Sequence, residues 1–365
     1  MDSIWDLANP HLRDLALYEP GKPIEETARE SGLRPEEISK LASNENPLGP
    51  SARVRAAMQK AIGNANLYPD GGGFYVRAAL ATHLQVPPEC LILGNGSNEI
   101  IEFIGHAFLG PEMEMVTSEN AFIAYRLVAS LFGAKTVAVP DRDHRFDLEA
   151  VQRAITSRTR VVFIANPNNP TGTLVAQEAI DRFMEQVPKE IVVVFDEAYF
   201  EYLAAPPDTL KFVREGRNVI VLRTFSKIHA LASVRLGYGI ARSELIRVLQ
   251  KTREPFNTSG VAQAGAVAAL ADGEHQARTR QMTDQGREYL EQEFGAMGLP
   301  FVPSVANFVL VQVGDGKVVF KKMLRQGVIV RALGGYTLPE WVRISVGTME
   351  QNRKCIAALR EVLAA

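Results

Sequence analysis

Cysteine is scarce: Cys90 and Cys355 are the only two among 365 residues. Two thiols in a chain of this length cannot build a disulfide framework, which favours a reducing, cytoplasmic setting. Charge of one sign is missing as well. The formal net charge is −2, so nothing electrostatic asks for nucleic acid or an anionic membrane as partner. There is no long hydrophobic run. The most apolar long stretch, "GVAQAGAVAALADG", is built from alanine and interrupted by Gln263; it is far short of a membrane span and is expected to be a packed helix. The opening "MDSIWDLANPHLRDL" lacks a basic stretch followed by an apolar core, so no secretory signal is expected. The six histidines pair closely neither with each other nor with cysteine, which argues against a zinc site. No internal repeat or low-complexity segment is visible. What these absences leave is a globular chain with a small-molecule partner.

The length suits about two domains and a large core. From about Leu91 to Ala241 short β-branched runs alternate with helical patterns. "LIL" (91–93), "MEMVT" (113–117), "KTVAV" (135–139), "RVVFIA" (160–165), "IVVVF" (191–195) and "NVIVL" (218–222) predict strands, and "SNEIIEFIGHAFL" and "AQEAIDRFMEQV" predict helices. Such alternation predicts an α/β fold with a mainly parallel sheet between helices, because parallel neighbours need crossover connections. Beyond about Pro255 the pattern changes to a long helix near 276–294, the shorter strands "ANFVLVQV", "GVIVRAL" and "VRISVGT", and a closing helix from about Met349. This predicts a smaller α+β domain. The first fifty residues are rich in turn formers and are expected to wrap over other elements.

Ligands of parallel sheets bind beyond the carboxyl ends of the strands. Four predicted strands end in polar groups: "RVVFIA" runs into "NPNNPTG", "IVVVF" into Asp196, "NVIVL" into "RTFSK", and "LIL" into "GNGSNE". Taken singly, each has a plain explanation. An Asn/Pro/Gly cluster makes a turn, an aspartate after a strand caps a helix, and a lysine in a loop is usually solvated. "GNGSNE" is G-x-G-x-x-E rather than a dinucleotide fingerprint.

Taken together, the four ends match the needs of pyridoxal phosphate: an amine for its aldehyde, an acid facing its ring nitrogen, donors for its phenolic oxygen and a cradle for its phosphate. Lys227 would supply the amine and form the Schiff base. Asp196 would stay ionised opposite the ring nitrogen, and Asn169 and Tyr199 would donate to the phenolic oxygen. Ser226, Arg235 and the backbone N–H groups of Ser97 and Asn98, where a helix begins, would hold the phosphate.

"NPNNPTG", "FDEAYFEY" and "TFSKIHALASVRLGY" resemble the cofactor-binding segments of fold-type I PLP-dependent aminotransferases. "KLASNENPLGPS", "YPDGG", "GNGSNEII" and "VRISVGT" narrow the resemblance to the histidinol-phosphate aminotransferase group, and the match runs over nearly the whole chain in order. The resemblance implies a fold-type I transferase with a large PLP-binding domain over 51–270 and a small C-terminal domain over 271–365. It places the N-terminal segment 1–50 with the small domain and the dimer interface. It implies a homodimer in which Tyr68 reaches the cofactor phosphate of the neighbouring subunit. Phe122 would stack on the pyridine ring and Thr224 would join the cofactor-binding set. Tyr18 and Asn44 would border the substrate. Arg343 matches the arginine that grips a substrate carboxylate, and Arg331 would join it on a substrate phosphate. Ser233 stands where glycine is common, and "ENAF" replaces a more usual "PTY" or "YAF"; both bear on substrate fit. His229, two residues beyond Lys227, is expected to face elsewhere.

The implied activity is amino transfer between histidinol phosphate and 2-oxoglutarate in histidine biosynthesis. Aromatic amino-acid transamination is the nearest alternative, and decarboxylation of an amino-acid phosphate a more distant one. A PLP-binding sensor domain of a transcription factor would need a DNA-binding module, and the N-terminus carries no basic helix-turn-helix pattern.

Overall fold

The computed structural model describes residues 4–13, 15 and 21–364. Seven strands form the main sheet in the spatial order Leu91–Gly94, Gly237–Ala241, Val219–Thr224, Val192–Asp196, Thr159–Ala165, Glu114–Ser118 and Lys135–Val139. The last five of these pair in parallel; Gly237–Ala241 runs antiparallel to both of its neighbours. All six strands expected in this region are present, within a residue or two of the expected bounds. Gly237–Ala241, with two glycines in five residues, was not expected. Its glycines are there for close approach: a Cβ on Gly239 would lie 3.0 Å from Ile92 Cγ2.

Helices cover the sheet, and its central strands are apolar on both faces, as parallel strands between helix layers must be. Val161–Ile164 and Val219–Leu222 are fully buried in one large apolar core that draws on residues 54–269. A buried ion pair ties the strand Val219–Thr224 to the residue just beyond its neighbour Val192–Asp196. Arg223 Nε donates to Glu197 Oε2 at 2.9 Å, and the Arg223 guanidinium lies 3.4 Å from the centre of the Phe200 ring.

A second apolar core gathers Leu290, Phe294, Val309, Val342 and Leu359. It packs one face of a four-stranded antiparallel sheet, ordered Arg331–Leu333, Leu338–Ser345, Phe308–Gln312 and Phe301–Val302, against the helices Gly273–Ala296 and Met349–Ala364. "GVIVRAL", expected as one strand, divides at Val330. Val328–Ile329 pairs in parallel with Ser39–Lys40, whereas Arg331–Leu333 joins the four-stranded sheet. The N-terminal segment is thereby fixed to the C-terminal core. "GVAQAGAVAALADG" forms the helix Gly260–Leu270, packed on the helix Ala52–Ile62. Among the described residues no helix is long and apolar enough to cross a membrane.

Candidate active site

The polar strand ends converge on one cavity of about 330 Å³, large enough for a cofactor-sized ligand. Lys227, Asp196, Tyr199, Asn169 and Phe122 line it, as do Ser97, Asn98, Thr224, Ser226 and Arg235. Asp196 closes the strand Val192–Asp196 and its carboxylate is held on both oxygens. Ala198 N donates to Oδ1 at 3.2 Å, and the Tyr125 hydroxyl donates to Oδ2 at 2.6 Å. The Tyr125 ring is itself stacked on Phe163, 4.5 Å between centroids and 7° from parallel.

Two charges in the cavity are displaced from their ordinary behaviour. Burial lowers the Lys227 amine from 10.5 to about 8, and the guanidiniums of Arg343 and then Arg235 add to the effect, while Glu45 and Asp196 oppose it. Arg343 is therefore a stronger influence on this amine than Arg235. Nζ donates to the carbonyl of Ser43 at 3.1 Å. Burial raises Asp196, against the pull of the Tyr125 hydroxyl, the Ala198 N–H and the Lys227 charge. A cation facing Asp196 from within the cavity would complete the compensation that these groups begin.

The segment from Gly94 to Asn98 is shaped as a cradle. Gly96 has a left-handed φ of 82°, and a Cβ there would lie 2.2 Å from Arg235 Nη2. A Cβ on Gly237 would fall 2.2 Å from the backbone nitrogen of Ser97. Only glycines let the start of the helix Ser97–Phe108 come so close to the arginine. Arg235 is left-handed too, with φ 59°, a costly conformation for a side-chain-bearing residue. Its Nη1 donates to Ala232 O at 2.9 Å and to Ser226 Oγ at 3.4 Å. Helix N–H groups, a guanidinium and a hydroxyl meeting in this way suit a phosphate.

Above the cavity the N-terminal segment crosses between the two cores. Asn44 Nδ2 donates to the Tyr199 hydroxyl at 2.8 Å, and Arg343 donates to Ala42 O at 2.6 Å and to Asn169 Oδ1 at 2.5 Å. With its oxygen taken, the Asn169 amide has its N–H groups left to offer. Arg331 stands opposite Arg343 in the register of neighbouring strands, so both project from the same sheet face. It lines a second cavity, of about 840 Å³, bordered also by Ala42 and Tyr336. Tyr68 is not part of the Lys227 cavity. It is 83% exposed, stacked on Phe256. Tyr18 lies outside the described residues. His229 faces away, against the Phe225 ring and within 3.8 Å of Glu201. Tyr125, Ser43 and Glu45 were not foreseen; Tyr125 sits three residues beyond Phe122, at the start of the helix Ala124–Leu131, and that nearness is the local signal that it could share the site.

The family model for aminotransferase class I and II matches residues 36–359. The histidinol-phosphate aminotransferase of Akkermansia muciniphila is 54% identical over 99% of this chain and 100% of its own length. That of Moorella thermoacetica is 47% identical over 97% and 94%. Among solved structures, histidinol-phosphate aminotransferase from Sinorhizobium meliloti in complex with pyridoxal-5'-phosphate superposes with a TM-score of 0.90 at 28% identity, covering 98% of this chain and 97% of that one. A cavity with a buried lysine and a phosphate-shaped cradle, set in a fold shared end to end with these enzymes, means that the chain belongs to the aminotransferase class I and II family, among the histidinol-phosphate aminotransferases.

Proposed function

We propose that this aminotransferase binds pyridoxal phosphate at Lys227 and moves the amino group of histidinol phosphate to 2-oxoglutarate. The observation that carries the reading is the amine lowered to about 8 in one cavity with a doubly held buried carboxylate and a glycine-lined cradle. Bound there, the cofactor supplies an electron-poor ring able to take up the electrons of a carbanion. The chain's own residues do the rest. Ser97, Asn98, Ser226 and Arg235 hold the phosphate, with Thr224 bracing the turn by accepting from Ser226 N at 3.1 Å. Phe122, which lines the cavity, would pack on a ring face. Asn169 and Tyr199 donate to the phenolic oxygen. Asp196 would face the ring nitrogen, and a positive charge there would return it to the ionised form that burial alone disfavours. The Lys227 amine, uncharged near neutral pH to a far larger extent than a free lysine, takes a proton at Nζ and gives it back.

Arg343 and Arg331 supply two guanidiniums to the arm of the substrate that carries the anion. A carboxylate is satisfied by one fork, whereas a phosphate offers more acceptor oxygens and gains from a second. Tyr18 and Asn44 belong to the same end of the reading. The chain works as a homodimer, with Tyr68 given to the phosphate of the neighbouring subunit, which fits its exposure and its place outside its own cavity. The large domain spans 51–270 and the small one 271–365, with 1–50 joined to the latter; the pairing of Ser39–Lys40 with Val328–Ile329 supports that division.

The test is kcat/KM for histidinol phosphate, phenylalanine, tyrosine and aspartate as donors to 2-oxoglutarate, in the native protein, Arg343→Ala and Arg331→Ala. Arg343→Ala should damage every donor. Arg331→Ala should damage histidinol phosphate more than phenylalanine by about 1.5–3 kcal/mol, the worth of lost charge-assisted bonds. Equal losses for both donors would make aromatic transamination the better reading.

A further inference from the structure

Ser345 closes the strand Leu338–Ser345 on the C-terminal core and does not line the Lys227 cavity, yet it is bonded twice to a residue that does reach a cavity side chain. Its Oγ accepts from the backbone N–H of Asn44 at 2.8 Å and donates to Asn44 Oδ1 at 2.9 Å. The amide oxygen is the acceptor the structure gives the hydroxyl proton; a turned amide would set its N–H group on the second lone pair of Oγ and leave that proton without this partner. That fixes the Asn44 amide, whose N–H group is then turned to the Tyr199 hydroxyl at 2.8 Å. Asn44 is 1% exposed and has a left-handed φ of 54°, and Asn307 Nδ2 donates to its carbonyl at 3.0 Å. Asparagine takes this conformation more readily than most residues, and three partners, Ser345, Tyr199 and Asn307, fix its side chain and carbonyl.

We propose that Ser345 is a positioning residue for Tyr199: it sets the direction of a donor chain, Ser345 to Asn44 to Tyr199, so that the phenol proton can point only into the cavity. With Asn44 as a donor, the Tyr199 oxygen is an acceptor on that side and its own proton is left for a ligand oxygen. Were the amide free to turn, Asn44 Oδ1 could accept the phenol proton and Tyr199 would be lost as a donor to the cavity. Other charged or titratable groups facing Tyr199 are Arg343, Asp196 and Tyr336, with the Lys227 amine 5.7 Å from its ring centre; none of them supplies this direction. The proposal rests on Tyr199 donating to the cofactor's phenolic oxygen.

The test compares Ser345→Ala, Ser345→Thr and Tyr199→Phe as holoenzymes, by the pH midpoint of the bound cofactor's absorbance change, and as apoenzymes by thermal unfolding. A donor on the phenolic oxygen draws electrons from the neighbouring nitrogen that joins the cofactor to Lys227, so losing it raises the midpoint. Tyr199→Phe should raise it most. Ser345→Ala should raise it by about half to one pH unit, the share of one hydrogen bond, and Ser345→Thr, which keeps the hydroxyl, should stay near the native value. An unmoved midpoint in Ser345→Ala, with Tyr199→Phe shifted, overturns the proposal and leaves the role of Tyr199 intact. An unmoved midpoint in Tyr199→Phe overturns that role and the proposal with it. If Ser345→Ala does not fold, Ser345→Cys keeps a side chain of similar volume with a much weaker donor and is read in the same way.

Discussion

Raising the pH should both stabilise the apoenzyme and switch on its capture of cofactor, each through the Lys227 amine. Part of that side chain is open to the cavity, but the amine is enclosed, and burial with the Arg343 and Arg235 charges lowers it from 10.5 to about 8. In the unfolded chain it returns to the ordinary lysine range. Between those two values the unfolded chain holds a proton that the folded chain has released, so stability rises with pH across the window from about 8 to 10.5. At about 1.4 kcal/mol per pH unit the whole effect is at most about 3.5 kcal/mol, less what water in the cavity screens. Lys227→Met removes the amine and keeps the packing. Below about pH 8 the variant apoenzyme should therefore be the more stable in urea, and its advantage should shrink as the pH climbs toward 10. Stopped-flow capture of pyridoxal phosphate by native apoenzyme should accelerate with a midpoint near 8, since only the unprotonated amine attacks an aldehyde. A capture midpoint close to that of free lysine, or a stability advantage of the variant that ignores pH, would refute the burial argument.

Replacing Asp196 with Ala should cost at least about a hundredfold in kcat and far less in thermal stability, because the burial cost removed with the carboxylate offsets the bonds lost from Tyr125 and Ala198; Asp196→Glu should retain more activity, and equal mild losses in both variants would reduce the acid to a cap. Gly237→Ala puts a methyl 2.2 Å from the Ser97 backbone nitrogen, which must push the helix start away from Arg235. Cofactor affinity, measured by titrating apoenzyme, should fall by about tenfold or more, and an unchanged affinity would mean that the cradle does not hold the phosphate.

Much of this site was legible because each group closes an apolar run. "IVVVF" before Asp196 and "NVIVL" before "RTFSK" announce buried parallel strands, and ligands of such sheets bind beyond the carboxyl ends of the strands. What the sequence hid are the partners that tune those groups. Tyr125 belongs to the helix Ala124–Leu131 and stacks on Phe163, so in a hydrophobicity pattern it reads as core; only packing reveals that its hydroxyl ends 2.6 Å from Asp196. The strand Gly237–Ala241 was hidden for the opposite reason, since its glycines read as a turn, although they are what a close crossing over Ser97 and Ile92 requires. "GVIVRAL" looks like one strand because nothing local marks the change of partner at Val330.

The longest-range feature is also the least visible. Asn44 and Ser345 meet across 301 positions of sequence, and neither is unusual where it stands: one is an asparagine in a turn-rich segment, the other a serine inside a strand. Their meeting follows from the parallel pairing of Ser39–Lys40 with Val328–Ile329, which carries the N-terminal segment across the C-terminal core on its way to the cavity. The same crossing sets Ser43 O on the Lys227 amine and Ala42 O on the Arg343 guanidinium. Three consecutive residues thus contact the Arg343 guanidinium, the Lys227 amine and the Tyr199 phenol. Any movement of the C-terminal core toward the sheet would shift all three contacts at once, so that under the proposed function residues 42–44 would couple an anion at Arg343 to the Lys227 amine.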